Sequence, residues 1–339
     1  MEVGLTYDLR DDYLSDADAP ADLYAEFDPD EIIRAIERAL ANLGHHPRRI
    51  GNIHKLVRFL AAGDTVDIVF NIAEGLGGRS REAQVPTLLE AARIPYTFSD
   101  PLTLCLCLDK PLTKQVWLGQ GLPTPPFYVI SDPSEIDAAL AHLSGFPLFV
   151  KPAYEGTSKG ITGQSRVTSR EALAERAAWV LTQYREPALV EPYLPGREFT
   201  VGLLGNGASA QALGAQEIRV LDPDGVYGFE QKEECEVRVE YNMVEAPDLS
   251  RRLCDLALCA YHAVGCRDAG RVDLRLDQNG EPHLLEINPL PGLDPEYSSL
   301  PMIARHRGLS FEQLIGRILQ HAVERQALNQ PAVRVGGGG

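Results

Sequence analysis

Apolar and polar residues alternate over the first 104 residues in short runs that predict strands and helices in turn. The apolar runs EVGLTY (2–7) and VDIVFNIAEG (66–75) are typical of strands. DEIIRAIERALANLG (30–44) has apolar residues at helical spacing, and EAQVPTLLEAARIPYTF (82–98) continues the alternation. Because strands that alternate with helices usually form parallel sheets, we expect a small parallel α/β domain over 1–104.

The rest of the chain predicts two α+β domains, over 105–190 and 191–328. SDPSEIDAALAHL and FPLFVKPAYEGTSKGITG read as helix, strand, loop and strand. The last domain contains a helix at about 249–264, whose apolar residues recur every 3.6 positions. Residues 329–339 end in four glycines and predict a flexible tail.

The segment AGRVDLRLDQNGEPHLLEINP (269–289) predicts a hairpin. Asn279-Gly280 is a strong turn signal, because both central positions of a tight hairpin turn need positive φ. A two-residue loop there sets the pairing: Asp273 opposite Glu286, Arg271 opposite Asn288, and Val272 and Leu274 opposite Ile287 and Leu285. One face would belong to the core, and the other carries acids.

Two carboxylates directly opposite each other on a sheet repel, which costs up to about 1 kcal/mol unless a positive charge lies between them. A divalent cation would supply that charge, and Asn288 adds a third oxygen. The pattern fits equally well the solvent-exposed face of an amphipathic hairpin. Oxygen ligands favour Mg²⁺ or Mn²⁺, and Mg²⁺ commonly takes its remaining ligands from phosphate and water, which indicates a nucleotide.

A phosphate site is indicated where Lys151 ends an apolar strand. The loop that follows contains Gly156, Thr157, Ser158 and Gly160, whose N–H groups and hydroxyls are suited to phosphate oxygens. The pattern GxxxxGK[ST] is absent, so a Walker-type loop is excluded.

The net charge and the length of the apolar runs argue against several classes of protein. The formal charge of −16 argues against nucleic acid or an anionic membrane as the main partner. No apolar run is long enough to cross a bilayer, and the N-terminus lacks a basic region followed by an apolar one. We therefore expect a cytoplasmic protein that interacts with neither nucleic acid nor membrane, and its six cysteines predict reduced thiols in the core.

The order of the segments DK, VKPAYEGTSKG, LVEPYLPGREFTV, GRVDLRL and LLEINPLPGL resembles the ATP-grasp superfamily and, within it, the D-alanine–D-alanine ligases. The resemblance covers residues from about 66 to 325. It implies an ATP-grasp fold, in which a small parallel α/β domain precedes two α+β domains that clasp ATP.

The resemblance also implies roles for individual residues. Lys110 and Lys151 would contact the ATP phosphates, Glu191 and the backbone of Leu194 the adenine, Glu198 the ribose, and Lys232 the γ-phosphate. The full set expected to bind ATP is Lys110, Lys151, Glu155, Thr157, Ser158, Glu191, Leu194, Glu198 and Lys232. Asp273, Glu286 and Asn288 would hold two Mg²⁺ ions, with Mn²⁺ as an alternative, and the catalytic set would be Arg271, Lys232 and Ser158.

The part of the family pattern that binds the amino-acid substrates has changed in this chain. The family has a Glu in a glycine-rich turn after the first strand, where this chain reads VGLTYDLRDDYL and offers Asp8 or Asp11. Glu74 replaces a histidine, and Glu233 replaces a tyrosine in the loop that contains Lys232. The residues expected to bind substrate are Glu74, Arg271, Gly292, Ser298 and Ser299.

The family chemistry is the phosphorylation of a carboxylate by ATP, followed by attack of an amine on the acyl phosphate. We therefore expect an ATP-dependent carbon–nitrogen ligase that acts on a small-molecule carboxylate and an amine, and forms a homodimer through its first domain. Two alternatives stay open at this point. One is a ligase of secondary metabolism that joins a non-peptide acid to an amino acid, and the other is a regulatory protein that binds ATP and Mg²⁺ without turnover.

Overall fold

A computed structural model describes residues 1–13, 22–143, 145–221 and 239–329. Across these ranges no helix combines the length and the apolar character needed to cross a membrane.

The N-terminal part is the expected parallel sheet flanked by helices. Its strands are β1 (Glu2–Tyr7), β2 (His46–Arg49) and β3 (Ile68–Ile72), in the order β2-β1-β3, and both pairings are parallel. The helices are α1 (Asp30–Asn42), α2 (Ile53–Ala61) and α3 (Gln84–Ala92). The apolar face of α1 is buried, as its 3.6-residue period predicts.

The middle part begins with α4 (Pro101–Leu108) and α5 (Lys110–Gly119). It continues with β4 (Tyr128–Ile130), α6 (Ile136–His142), β5 (Leu148–Pro152), β6 (Arg166–Val167), α7 (Arg170–Gln183) and β7 (Ala188–Pro192). The strands form an antiparallel sheet in the order β4-β7-β5-β6. Asp109 ends α4 and caps α5, because its side chain accepts a hydrogen bond from the N–H of Leu112 at 3.0 Å.

The C-terminal part is a five-stranded antiparallel sheet in the order β10-β9-β8-β11-β12. Its strands are β8 (Glu198–Leu204), β9 (Gln211–Val220), β10 (Val239–Met243), β11 (Ala269–Leu276) and β12 (Pro282–Asn288). The helices are α8 (Pro247–Ala263), α9 (Ser299–His306) and α10 (Phe311–Asn329). The expected helix at 249–264 is therefore α8, shifted by one or two residues.

Packing crosses the boundaries that the sequence predicts. Cys107 of α4 and Trp117 of α5 are buried in the core of the five-stranded sheet. Helix α10 packs with α1 in the core of the N-terminal part. The division at 104 and 190 stays a prediction, since β7 continues to Pro192. All five described cysteines are free; Cys107 and Cys266 are buried and Cys259 is exposed.

The β11–β12 hairpin has the expected pairing where it carries polar residues. Asp273 lies opposite Glu286, and Arg271 opposite Asn288. The expected partner of Leu274 was wrong, because Leu274 pairs with Leu284 and not with Leu285. The loop comprises residues 277–281, which moves the pairing by one residue, and a bulge at Leu285 restores it.

The bulge changes the surroundings of Leu285, which was expected to lie in the core. Leu284 is fully buried, whereas Leu285 and Glu286 are both half-buried and line the same cavity. A hydrophobic side chain is thereby placed beside an acidic one on the polar face of the hairpin.

Candidate active site

A cavity of about 70 Å³ is lined by residues of both antiparallel sheets. It brings together five residues that were expected to bind ATP, namely Lys151, Ser158, Glu191, Leu194 and Glu198. Apolar walls come from Phe149, Ile161 and Leu285. A flat heterocycle between apolar side chains, with charged groups at its edge, fits such a lining.

The charged edge of this cavity is built around Glu191. Its carboxylate lies 2.9 Å from the ammonium of Lys114 and 3.0 Å from that of Lys151. Burial would raise the pKa of Glu191, but the two ammonium groups outweigh burial and lower it to about 2. Burial lowers the pKa of Lys114 to about 8, against the opposing effect of Glu191. Glu191 is therefore held ionised in a buried site.

A second pair lies at the other end of the cavity. Arg275 donates to Glu198 at 2.9 Å and to the hydroxyl of Tyr193 at 2.9 Å. The guanidinium carbon also lies 4.9 Å from the centre of the Tyr193 ring. Arg275 therefore orients both an acid and an aromatic ring that line the cavity.

The glycine-rich loop after β5 has a strained backbone. Thr157 and Ser158 have φ of +47° and +58°, which is uncommon for side chains other than glycine and costs about 1 kcal/mol or more per residue. The N-terminal segment supports this loop, because Glu26 accepts from the N–H of Gly156 at 3.0 Å and from Lys159 at 2.8 Å. Strain that is held by neighbouring contacts is common in loops that bind a ligand.

A larger cavity, of about 250 Å³, lies next to the first one. Its lining includes ten of the predicted site residues: Glu74, Lys110, Thr157, Arg271, Asp273, Glu286, Asn288, Gly292, Ser298 and Ser299. Asp273 and Glu286 line both cavities. The two cavities therefore adjoin at the pair of carboxylates that the hairpin places opposite each other.

Asp273 is surrounded by donors at this junction. Arg271 donates to it twice, at 3.0 and 2.9 Å, and Thr200 and Asn288 donate at 2.6 and 3.2 Å. Glu286 lies 3.4 Å from the ammonium of Lys110. Two carboxylates and an amide fit Mg²⁺ by the chemistry of their oxygen donors, because Mg²⁺ takes few protein ligands and only oxygen. The amide nitrogen of Asn288 faces Asp273, which leaves its oxygen for an ion.

Another part of the larger cavity, which we call the acidic wall, includes Glu26. Arg81 donates to both oxygens of Glu26, at 3.0 and 3.2 Å, and to Glu155 at 3.2 Å. Lys159 also pairs with both acids. Burial would raise the pKa of Glu26, but Lys159 and Arg81 lower it to about 2. This network connects the N-terminal segment to the glycine-rich loop.

Three more carboxylates, those of Asp28, Glu74 and Glu82, line the same wall. Burial raises the pKa of Asp28 and of Glu82 to about 7, and neighbouring acids contribute. Burial, followed by repulsion from Glu82 and Glu26, raises the pKa of Glu74 well above its ordinary value. The wall therefore combines one buried acid, Glu82, with two half-buried ones, Asp28 and Glu74, and the pKa of each is raised.

Comparison with known proteins identifies the family. The family described as the D-ala D-ala ligase C-terminus matches residues 116–320. The D-alanine–D-alanine ligase of Alcanivorax borkumensis is 36% identical over 294 residues, which are 86% of this chain and 88% of that protein. The chain belongs to the D-alanine–D-alanine ligase family.

Further relatives agree with this assignment. The D-alanine–D-alanine ligase of Bordetella petrii is 34% identical over 291 residues, 85% of this chain and 86% of that protein. The crystal structure of the D-alanine–D-alanine ligase from Bacillus anthracis, complexed with ATP, has a TM-score of 0.72 and 20% identity, and the match covers 97% of this chain and 98% of that one. At this identity the likeness shows the fold alone, which confirms the expected α/β and α+β architecture.

Within this D-alanine–D-alanine ligase family member, two predicted substitutes for the N-terminal Glu lie elsewhere. Asp8 is buried, accepts from Tyr13 and from the N–H of Gly75 at 2.8 Å, and lines neither cavity. Asp11 is exposed in a short 3-10 helix. Glu26 and Asp28 line the cavity instead. Because Glu26 and Asp28 lie well beyond the first strand along the chain, the family motif that follows this strand did not indicate them.

Glu155 and Ser298 were also predicted to lie in the site, and both contact other residues of the chain. The carboxylate of Glu155 faces Arg81 and Lys159, and only its carbonyl accepts from Lys110. Ser298 accepts from the N–H of Asp294 at 3.0 Å, beside Gly292, where a Cβ would lie 2.8 Å from the serine oxygen. Lys232 and Glu233 lie outside the described residues, as does the tail from residue 330.

Sequence reasoning missed Lys114 and Glu82. Lys114 lies four residues after Lys110, so the two ammonium groups project from the same side of α5, and this spacing was a usable signal. No comparable signal marks Glu82, which follows Arg81 in a polar segment.

Proposed function

We propose that this protein is an ATP-dependent carbon–nitrogen ligase that joins a carboxylate to an amine through an acyl phosphate. The junction of two cavities at Asp273 and Glu286 supports this proposal best. A nucleotide in the smaller cavity would direct its terminal phosphate toward this junction, and a carboxylate in the larger cavity would meet it there. Positioning of this kind is the main requirement of phosphoryl transfer.

The smaller cavity would hold the adenosine part of ATP. Glu191 would accept from the exocyclic amine of adenine, the backbone of Leu194 would bind the ring edge, and Glu198 would bind the ribose. Lys110 and Lys151 would contact phosphate oxygens, and the glycine-rich loop with Thr157 and Ser158 would cover them. Lys232 would add a further contact to the γ-phosphate. The crystal structure of the D-alanine–D-alanine ligase from Bacillus anthracis is of its complex with ATP.

Mg²⁺ would be held by Asp273, Glu286 and Asn288, and we propose two ions, with Mn²⁺ as a substitute. When bound, the ions would neutralise charge on the phosphates as it develops. Arg271 lies beside these ligands and, through its contact with Asp273, is oriented toward the larger cavity. It would stabilise the charge on the transferred phosphoryl group.

The reaction would proceed in two steps. A carboxylate oxygen of the first substrate attacks the γ-phosphorus of ATP, and the bond to ADP breaks. The amine of the second substrate then attacks the acyl carbon, phosphate leaves, and the nitrogen loses a proton. Ser298 and Ser299, at the start of α9, would bind the carboxylate of the second substrate together with the backbone near Gly292.

A turnover assay tests this proposal. Purified protein with ATP and Mg²⁺ should release ADP when amino acids are added, and mass spectrometry should detect a product with a new amide bond. The double variant Glu286→Ala with Asn288→Ala should lose this turnover by at least about 100-fold while its melting temperature changes little. Absence of ADP release with any acid and amine pair would contradict a ligase function.

A matched control exists on the edge strand of the same sheet. Glu240 and Asn242 of β10 have the same two-residue spacing and are exposed. The variant Glu240→Ala with Asn242→Ala should keep full turnover. We also propose a homodimer formed through the N-terminal part, which analytical ultracentrifugation would test.

A further inference from the structure

The acidic wall of the larger cavity leads to a specific substrate class, on the basis of the ligase function proposed above. We propose that the amino acid bound against this wall is a diamino acid, with a second ammonium group at the end of an aliphatic side chain, as in ornithine or lysine. Three observations support this assignment: the unpaired carboxylates, the commitment of nearby cations to other acids, and the apolar surface beside them.

Glu82 is the central observation. Glu82 is only 7 % exposed and lines the cavity. Within the described ranges it forms no hydrogen bond or ion pair, since the contacts of Arg81 and Lys110 are made to other groups. A buried carboxylate without a partner is costly, and an ammonium group of a ligand would remove that cost.

Asp28 and Glu74 extend this arrangement. They come from separate segments, line the same cavity as Glu82, and in the described part of the chain neither side chain has an ion pair. Repulsion between Glu74 and Glu82 contributes to the raised pKa of Glu74. Asp28 lies before α1, whereas Glu74 and Glu82 both lie in the connection between β3 and α3. Three carboxylates are more than the single ammonium group of alanine would require.

The cations near the cavity already have acidic partners. Lys110 lies 3.4 Å from Glu286, and Arg271 binds Asp273 in a bidentate pair. Arg81 and Lys159, behind the wall, are shared by Glu26 and Glu155. Among the described side chains that line the cavity, no cation remains for Glu74 or Glu82, and the one cation that acts on Asp28, Arg10, lies outside this lining.

Apolar side chains line the cavity beside the acids. Ile72 is half-buried, and Leu290 and Leu293 belong to the core that extends behind the cavity. A chain of methylene groups would pack on this surface, while its terminal ammonium reached the carboxylates. The combination fits a basic aliphatic side chain better than a compact cation.

Binding and turnover with matched amino acids test the inference. The probes are lysine with norleucine and ornithine with norvaline, each as both enantiomers, because each pair differs by the terminal ammonium group. D-alanine and L-alanine complete the panel. Calorimetry with Mg²⁺ and a non-hydrolysable ATP analogue measures affinity, and ADP release with ATP measures turnover. We expect lysine or ornithine to exceed its neutral partner by at least about 10-fold in affinity and in kcat/KM.

Variants of the acidic wall test whether its carboxylates cause this preference for the diamino acid. Glu74→Gln and Glu82→Gln keep side-chain size, and each should bring the preference for the diamino acid over its neutral partner to within about 3-fold of unity. Affinity for ATP should not change, which shows that the variants are folded. Glu175→Gln, on the exposed side of α7, is the matched control and should keep the preference of the unchanged protein.

The possible outcomes separate the two proposals. ADP release with alanine or norleucine at least as fast as with lysine and ornithine would refute the diamino acid while the ligase function stands. The same conclusion would follow if both glutamine variants kept the preference. Tight binding of lysine or ornithine without ADP release would refute the ligase function and support the diamino-acid site.

Discussion

Lys114 and Glu191 form a buried ion pair of 2.9 Å between helix α5 and strand β7, which are separate elements of the middle part of the chain. The ammonium of Lys114 also donates to Thr124 at 2.7 Å, and the hydroxyl of Thr124 donates to the carbonyl of Leu284 at 2.8 Å. The pair therefore links α5, the four-stranded sheet and the β11–β12 hairpin around the smaller cavity.

Replacement of Lys114 by Met should destabilise the protein strongly. The change leaves Glu191 buried with Lys151 as its remaining ammonium partner, and breaking a buried pair in this way costs about 3–5 kcal/mol. Urea unfolding measures the loss. The double variant Lys114→Met with Glu191→Gln should recover part of it. Lys55→Met is the control, because the exposed pair of Lys55 and Asp12 should contribute at most about 1 kcal/mol. Equal losses for Lys55→Met and Lys114→Met would contradict the interpretation.

Glu198→Gln should weaken ATP binding by about 10-fold, since a hydrogen bond to a charged acceptor contributes roughly 1.5–3 kcal/mol. Calorimetry with ATP and with 2′-deoxy-ATP locates the contact. The unchanged protein should prefer ATP over 2′-deoxy-ATP, and the variant should lose most of this preference. A variant that discriminates between the two nucleotides as well as the unchanged protein would show that Glu198 does not contact the ribose 2′ position.

The acidic wall should make stability depend on pH. Burial raises the pKa of Glu82 to about 7, whereas an unfolded Glu titrates near ~4.3. Between these values the folded chain binds more protons than the unfolded chain, so the free energy of unfolding falls as pH rises. Glu82→Gln should therefore stabilise the protein more at pH ~8 than at pH ~5, by roughly 2–3 kcal/mol. Urea unfolding at both pH values measures the difference, and an equal effect at both would contradict it.

Arg325→Met should destabilise the protein without affecting the smaller cavity. Arg325 of α10 binds buried Asp268 at 2.7 and 3.1 Å, and donates to the carbonyls of Tyr96 and Phe98. Its loss leaves an uncompensated acid and should cost about 3–5 kcal/mol in urea unfolding. Below the unfolding transition, ATP affinity should match that of the unchanged protein. Arg251→Met is the control, since Arg251 pairs with Asp248 on the surface.

Local periodicity was sufficient for much of the architecture. Alternating strands and helices predicted the parallel N-terminal sheet, and the 3.6-residue period located α8 within two residues. The two-residue period of β11 and β12 placed Asp273, Glu286 and Asn288 on one polar face. These features are encoded locally because the side-chain direction in a strand or helix follows from the backbone repeat.

The turn shows where local reasoning fails. Asn279-Gly280 indicated a two-residue loop, but Gly280 alone of the two has positive φ, +80°, within a longer loop. The bulge at Leu285 then restored the expected pairing of Asp273 with Glu286. Loop length and bulge compensate each other through packing of the whole sheet, which no four-residue turn signal contains.

The element order, the polar face of the hairpin and the ATP-grasp resemblance could all be predicted from the amino-acid sequence, because each depends on residues close together along the chain. Three-dimensional packing was needed to show that Lys114 reaches Glu191, that Glu26 supports the glycine-rich loop, and that Glu82 lines the larger cavity. These contacts join segments far apart in sequence, and their geometry follows from how the three sheets pack around the two cavities.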